Sequence, residues 1–240
     1  MNPTRRNVVL MIVAAALAAL FVRLGFWQLS RRAERAAVNE ARAARAAAPE
    51  LDLTAEGVPR DTTGVVWRRV TVRGQYDRER EIVLRGRSLE GRPGVEVLTP
   101  LDVGDEAVLV IRGWLPASDA LRADLTTGWP ADWSDTTQVR VSGVAVPPAT
   151  GRAGQPLTVE SGGREHLALA GADVELIAGR LPYPVLPYVI RLDSGSDGAA
   201  ALRQPAEAAP GMGSHLSYAI QWFAFAVISI VGTAILIRKG

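Results

Sequence analysis

The sequence contains no cysteine, only two histidines and a single lysine among its 240 residues. Without thiols, disulfides, thiolate metal sites and cysteine nucleophiles are excluded. A histidine-rich zinc site is excluded as well, and a catalytic triad would have to use His166 or His215. The net charge of +2 is too small for a surface built to bind nucleic acid. No phosphate loop, dinucleotide fingerprint or nucleophile elbow is present, so we expect a protein that is not an enzyme.

Two long apolar runs lie near the two ends of the chain. The first, residues 8–27, is interrupted by Arg23 alone and is long enough to cross a bilayer core of ~30 Å. The second, residues 215–237, carries no formal charge and stops at Arg238 and Lys239. We predict a transmembrane helix in each run, with the lipid bilayer as a partner and with short ends, 1–7 and 238–240, on one side of the membrane.

A cleavable signal peptide is the alternative interpretation of the first run, because Arg5 and Arg6 precede it. Bulky Phe26 and Trp27 stand where cleavage would be expected, so the pattern favours an uncleaved anchor in a bacterial inner membrane. Basic residues flank both ends of this run, and the charge count therefore leaves the orientation open.

The middle of the chain changes from a helical to a strand-like pattern. Residues 28–48 are rich in alanine, arginine and glutamate and should continue the first helix out of the membrane until Pro49. Beyond it, apolar and polar residues alternate with a period of two. We predict strands at Trp67–Tyr76, Glu81–Arg87, Val95–Val103, Ala107–Trp114 and Gln138–Val146.

The middle region comprises residues 28–214, and its remaining segments give weaker patterns. We predict an irregular excursion at 122–134, a loop at 147–163, a short helix at 167–176, a strand at 188–192 and a flexible return at 194–213. The fold class is thus a membrane protein with two transmembrane helices flanking a mainly β (α+β) domain, built as a small barrel or curled antiparallel sheet.

The entrance of the second apolar run carries the polar and aromatic residues with the clearest chemical potential. His215, Tyr218 and Trp222 follow i, i+3, i+7 spacing and share one helix face. A histidine flanked by aromatic rings at a membrane surface can ligate haem iron. The alternative is an interfacial belt in which the same residues, like Trp27 on the first helix, only anchor the spans.

Two further positions in the middle region could carry chemistry. Arg112 could pair with a carboxylate such as a haem propionate and Trp114 could stack on a partner, or both could be structural. His166 could act with Glu165 or Asp173 as an acid and base, but a lone loop histidine is expected to be a plain surface residue.

A series of short motifs spans nearly the whole chain. In order, they are Leu24–Leu29, Gly74 with Tyr76, Arg92–Gly94 leading to Leu98–Leu101, Val108–Val110 running into Arg112–Pro116, and His215–Leu216 with Tyr218 and Gln221–Phe223. In this order they resemble the Surfeit locus protein 1 family of cytochrome c oxidase assembly factors. Ile111 departs from that pattern, since an asparagine usually precedes the Arg-Gly-Trp.

The resemblance implies a function and resolves the orientation. It implies an extracytoplasmic middle domain, both termini in the cytoplasm, and a role in maturing the oxidase by handling haem A. Its implied partners are the catalytic subunit of the oxidase and the machinery that synthesises haem A. The resemblance implies His215 as the ligand of the haem iron. We further predict that Tyr218, Trp222 and Trp27 contribute to haem binding and that Arg112, or an arginine near Arg31, meets the propionates.

Two other functions compete with haem handling. The chain could be a haem-independent membrane scaffold that steadies an oxidase assembly intermediate through Trp114 and the two spans. It could also be a membrane-tethered enzyme, although only His166 would support that reading.

Overall fold

The computed structural model describes residues 3–54, 59–128, 137–197, 202–203, 211 and 213–239. The chain divides into two compact units, residues 1–42 with 208–240 and residues 43–207. The helices of the described residues are α1 (Pro3–Ala46), α2 (Val174–Ala178) and α3 (His215–Lys239). The strands are β1 (Leu51–Asp52), β2 (Arg69–Tyr76), β3 (Ile82–Leu89), β4 (Arg92–Asp102), β5 (Ala107–Pro116), β6 (Gln138–Val146), β7 (Leu157–Ser161), β8 (Arg164–Leu169) and β9 (Val185–Leu192).

The helices α1 and α3 are both long and apolar enough to cross a membrane, and the chain is a membrane protein. Their outward side chains are exposed apolar groups, for example Ile12 and Ile228, each 63% exposed. Ala18 and Ala226 are buried, because small residues let helix backbones approach closely in a bilayer. At 44 residues, α1 is about 66 Å long and continues well beyond a ~30 Å core, as the composition of 28–48 predicts.

Residues 43–207 contain one mixed sheet with the strand order β1-β2-β6-β9-β5-β4-β3-β8-β7. The ends of β2 and β4 also pair, at Gln75 with Asp102 and Tyr76 with Leu101, so the sheet curls until these strands meet. Gly74 permits this approach, since an added Cβ would lie 2.2 Å from the carbonyl oxygen of Asp102. The curled sheet of the predicted fold class is confirmed.

Strand β5 lies inside the sheet and is buried on both faces. Val108 and Val110 pack into one apolar cluster, whereas Leu109 and Ile111 pack into another. The alternation seen in the sequence is therefore correct, and both faces of the strand are core. A short turn joins β4 to β5, with Asp102 paired to Ala107.

The sequence predictions fail mainly between 147 and 178. The predicted loop contains β7, and the predicted helix at 167–176 begins instead as strand β8, with the short helix α2 displaced to Val174–Ala178. Asp173 caps that helix by accepting a hydrogen bond from the Leu176 N–H. The predicted excursion at 122–134 holds 3₁₀ turns up to Gly128; its remainder and most of 194–213 lie outside the described residues.

Candidate functional site

Aromatic side chains join α1 to α3 along the spans. The rings of Phe21 and Trp222 stack with centroids 5.7 Å apart, and Phe26 meets Phe223 edge to face at 5.5 Å. Gly25 fits against this contact, because an added Cβ would lie 2.6 Å from the Phe223 ring. The two helices thus bring the end of one apolar run against the beginning of the other.

A hydrogen bond between the two helices fixes the ring of His215. Its Nδ1 lies 2.9 Å from Oε1 of Gln28, and both side chains are half-buried. A carbonyl oxygen can only accept, so Nδ1 carries the proton and donates it. A neutral ring with this tautomer carries its lone pair on Nε2, which is the arrangement that protein partners of metal-bound histidines impose.

Gly213 lies beside the Cδ2 and Nε2 atoms of the His215 ring. Gly213 has a φ of 67°, and an added Cβ there would lie 3.2 Å from Nε2 of His215. Any other residue would be strained at this φ and would crowd the side of the ring that carries the lone pair. A glycine at position 213 therefore avoids a side chain against the Cδ2–Nε2 edge of the His215 ring.

Two exposed aromatic residues lie at the same end of the helix pair. Trp27 precedes Gln28 and is 49% exposed, while Tyr218, one turn after His215, is 48% exposed. The guanidinium of Arg31 lies 5.7 Å from the Trp27 ring centroid and pairs with Glu34. We call Trp27, Gln28, Arg31, His215 and Tyr218 the helix-end cluster. It combines a fixed imidazole, exposed ring faces and a cation.

Trp222 is the remaining site residue predicted on α3, and its ring is packed against other aromatic rings. Its ring packs between Phe21 and Phe225, with centroid distances of 5.7 and 5.9 Å. These contacts give Trp222 a role in joining the two spans.

Arg112 lies in the other unit and is fully buried. It occupies a β-bulge in β5. Ile111 pairs with Leu98 and Gly113 pairs with Val97, so Arg112 is the extra residue of the bulge. Its Nη1 donates to Oε1 of Glu81 at 3.0 Å, and Glu81 is only 4% exposed.

Further groups surround this buried pair. Thr99 donates to the same carboxylate oxygen of Glu81 at 3.1 Å, and the guanidinium of Arg112 lies 5.5 Å from the Tyr76 ring centroid. Burial lowers the pKa of Arg112, and the nearby Glu81 carboxylate opposes that shift. The charge of Arg112 is thus compensated within its own domain.

Trp114, in the same motif, is a core residue. It is 2% exposed, and its N–H and C=O both bond to the backbone of Arg203. A Cβ added at Gly94 would lie 2.4 Å from Nε1 of Trp114, so the glycine of Arg92–Gly94 is required by the tryptophan of Arg112–Pro116. These two motifs are complementary parts of one packing arrangement.

The expectation that His166 is a plain surface residue on a loop is wrong. His166 lies in β8, is 5% exposed, and its Nδ1 lies 3.2 Å from the backbone oxygen of Glu81. Because that oxygen can only accept, the imidazole donates and joins the surroundings of the Arg112–Glu81 pair. No signal in the sequence pointed to Glu81, which begins an ordinary strand pattern.

The described part of the chain offers no cluster of three or more histidine, aspartate or glutamate side chains for a metal ion. A metal held at the helix-end cluster would therefore depend on a single histidine. A metal complex with its own macrocyclic ligand suits such a site better than a bare ion.

Residues 15–227 match the family model described as the SURF1 family. A SURF1-like protein of Mycobacterium tuberculosis is 27% identical over 226 residues, covering 92% of this chain and 79% of that protein. A SURF1-like protein of Rickettsia felis is 26% identical over 242 residues, covering 95% of this chain and 94% of that protein. The matched region contains the helix-end cluster and the Arg112–Glu81 pair alike.

Proposed function

The chain belongs to the SURF1 family, and from this premise we propose that it assists the assembly of cytochrome c oxidase by binding haem A at the helix-end cluster. The observation that carries the proposal is the 2.9 Å hydrogen bond from Nδ1 of His215 to Gln28. It selects the tautomer in which Nε2 can bind iron. The action is binding and transfer, without a catalysed reaction.

Each member of the helix-end cluster has a part in this proposal. Nε2 of His215 would hold the iron, and the exposed faces of Trp27 and Tyr218 would contact the porphyrin. Arg31 is the cation of the cluster, and its guanidinium would pair with a haem propionate. Arg112 receives no part, because it and its partner Glu81 are buried inside the domain, whereas Arg31 and its partner Glu34 are exposed and can exchange partners.

The proposal includes a location and partners. In it, the chain lies in a bacterial inner membrane with both termini in the cytoplasm and residues 28–214 mainly outside. The helix-end cluster would then face the extracytoplasmic surface. The haem would arrive from the haem A synthesis machinery and leave for the catalytic subunit of the oxidase.

The test is the absorption spectrum of the full-length protein purified from cells that make haem A. We expect wild type to retain haem, and His215→Ala to lose it or to show an altered spectrum. His166→Gln is the matched control, because it removes the other histidine while keeping a donor to Glu81. Identical spectra for wild type and His215→Ala, or no haem in either, would refute ligation by His215.

The haem-independent scaffold is separated by a second measurement. A scaffold would still co-purify with the catalytic subunit in a strain unable to make haem A, with wild type and His215→Ala alike. Our proposal expects that association to weaken when haem A is missing or when His215 is replaced.

A further inference from the structure

A groove of about 550 Å³ lies between α1 and α3, at the end of the helix pair opposite His215. Its apolar walls come from Met11, Ala14 and Ala15 on α1 and from Ile230, Ala234 and Ile237 on α3. Arg238 also lines the groove and is exposed. The groove therefore combines an apolar channel with one cationic group at the terminal turn of α3.

Small side chains explain why the helices leave this space. The aromatic residues that fill the gap between the spans near Trp222 have no counterpart here, where alanines 15 and 234 face the opening. From Ile230 to Arg238 the wall runs about 12 Å along the helix, close to the ~15 Å of hydrocarbon in one leaflet. The groove thus has the depth of an acyl chain anchored at the membrane surface.

The charged side chains that the structure describes at this end of the helix pair are all positive. Arg238 and Lys239 end α3, and Arg5 and Arg6 lie in the first turns of α1. No aspartate or glutamate occurs in α3 or in α1 before Glu34. Basic groups beside an intramembrane groove attract anionic lipid headgroups, which are the nearest anions available to them.

We propose that this groove binds one anionic phospholipid of the surrounding membrane. One acyl chain occupies the channel beside Ala15 and Ala234, and the headgroup phosphate pairs with Arg238. Lys239, Arg5 and Arg6 add to the local positive potential and favour anionic over zwitterionic headgroups. The site is distinct from the helix-end cluster and does not depend on the haem proposal.

The test is native mass spectrometry of the full-length protein released from mild detergent, with phosphatidylglycerol and phosphatidylethanolamine supplied in equal amounts. Wild type is expected to retain one phospholipid, predominantly phosphatidylglycerol. Ala15→Leu with Ala234→Leu should abolish retention by filling the channel. Arg238→Ala with Lys239→Ala should weaken the preference for phosphatidylglycerol by about fivefold per charge removed.

Two control variants distinguish this site from general lipid adhesion. Val13→Leu enlarges an exposed side chain outside the groove, and Arg32→Ala with Arg35→Ala removes two cations from beyond the other end of the span. Both should bind lipid as wild type does. Circular dichroism on each variant verifies the helices, and Ala15→Leu alone is a milder filling should the double variant fail to fold.

Several results would overturn the proposal. They are a wild type without bound phospholipid, a wild type that binds both lipids equally, and a filled groove that retains lipid as before. A filled groove that instead lowers the oligomeric mass would show that a second copy of the chain occupies the channel.

Discussion

Arg112 with Glu81 in the β domain and His215 with Gln28 at the helix ends are two side-chain pairs of similar length, 3.0 and 2.9 Å. Their surroundings differ. The first pair is ionic and almost fully buried, and Thr99 and the backbone contact to His166 surround it. The second is half-buried and presents a lone pair beside Gly213. We infer that the first pair serves folding, and our proposed function gives haem binding to the second.

The largest expected effect comes from breaking the buried pair. Arg112→Met leaves the Glu81 carboxylate buried without its cation, which should cost about 3–5 kcal/mol of the free energy of unfolding of the β domain. Urea unfolding of the full chain in detergent, followed by near-ultraviolet circular dichroism, measures this loss. The double variant Arg112→Met with Glu81→Leu should regain most of it, because no charge then remains buried. Losses that simply add would contradict the assignment.

The next effect tests the packing beside Arg112. Gly94→Ala places a Cβ 2.4 Å from the Trp114 ring and 2.3 Å from the Leu115 carbonyl oxygen. We expect this overpacking to cost about 1–3 kcal/mol in the same unfolding measurement. Gly64→Ala is the control, since no atom lies within 4 Å of its added Cβ. Equal effects at both glycines would show that the contact with Trp114 does not matter.

The membrane spans and the β domain also differ in how much of their structure the sequence predicts. The spans follow from apolar run length alone, and the core strands from alternation, because burial imposes both patterns on local sequence. Strands β7 and β8 were missed because β7 follows a stretch rich in proline and glycine, and because the apolar spacing of 167–176 also suits a helix. The pairing of β8 with β3 is a long-range contact that no local pattern records.

The site predictions also differ in whether the local sequence could reveal them. Tyr218 and His215 share a helix face that the residue spacing predicts, and Trp27 follows from its place at the end of the first apolar run. The partner of Arg112 could not be predicted, because Glu81 reaches it through the pairing of β3 with β4 and of β4 with β5, together with the bulge in β5. The polar character of Arg112 suggested a ligand contact, whereas the fold supplies an internal counterion.

A third prediction concerns pH and the tyrosines of the domain. Burial raises the pKa of Tyr76, against the opposing charge of Arg112, and burial also raises the pKa of Tyr188. The folded state holds these protons more tightly than the unfolded chain, whose tyrosines titrate near the ordinary value of 10.0. Stability is therefore full below pH 10 and falls as the pH rises toward the folded-state values.

Tyr76→Phe tests this dependence. Each such tyrosine contributes a slope that is half of about 1.4 kcal/mol per pH unit at pH 10 and that approaches the full value at higher pH. The variant should lose the part of the pH slope that comes from Tyr76. The measurement is the free energy of unfolding at pH 10, 10.5 and 11. The comparison at pH 8 gives the offset caused by the lost hydroxyl. An unchanged slope would show that Tyr76 ionises as readily in the folded chain as in the unfolded one.

The smallest expected effect on folding belongs to the helix-end pair, where the functional effect should be large. Gln28→Leu removes a half-buried neutral hydrogen bond and should change the free energy of unfolding by less than about 1 kcal/mol. It also frees the His215 ring and its tautomer, so haem binding, measured by spectral titration, should weaken by about 10–100-fold. Gln28→Glu keeps an acceptor oxygen for Nδ1 and should restore much of that affinity. If Gln28→Leu instead destabilised the chain as strongly as Arg112→Met while binding haem normally, the helix-end pair would be structural and the comparison would fail.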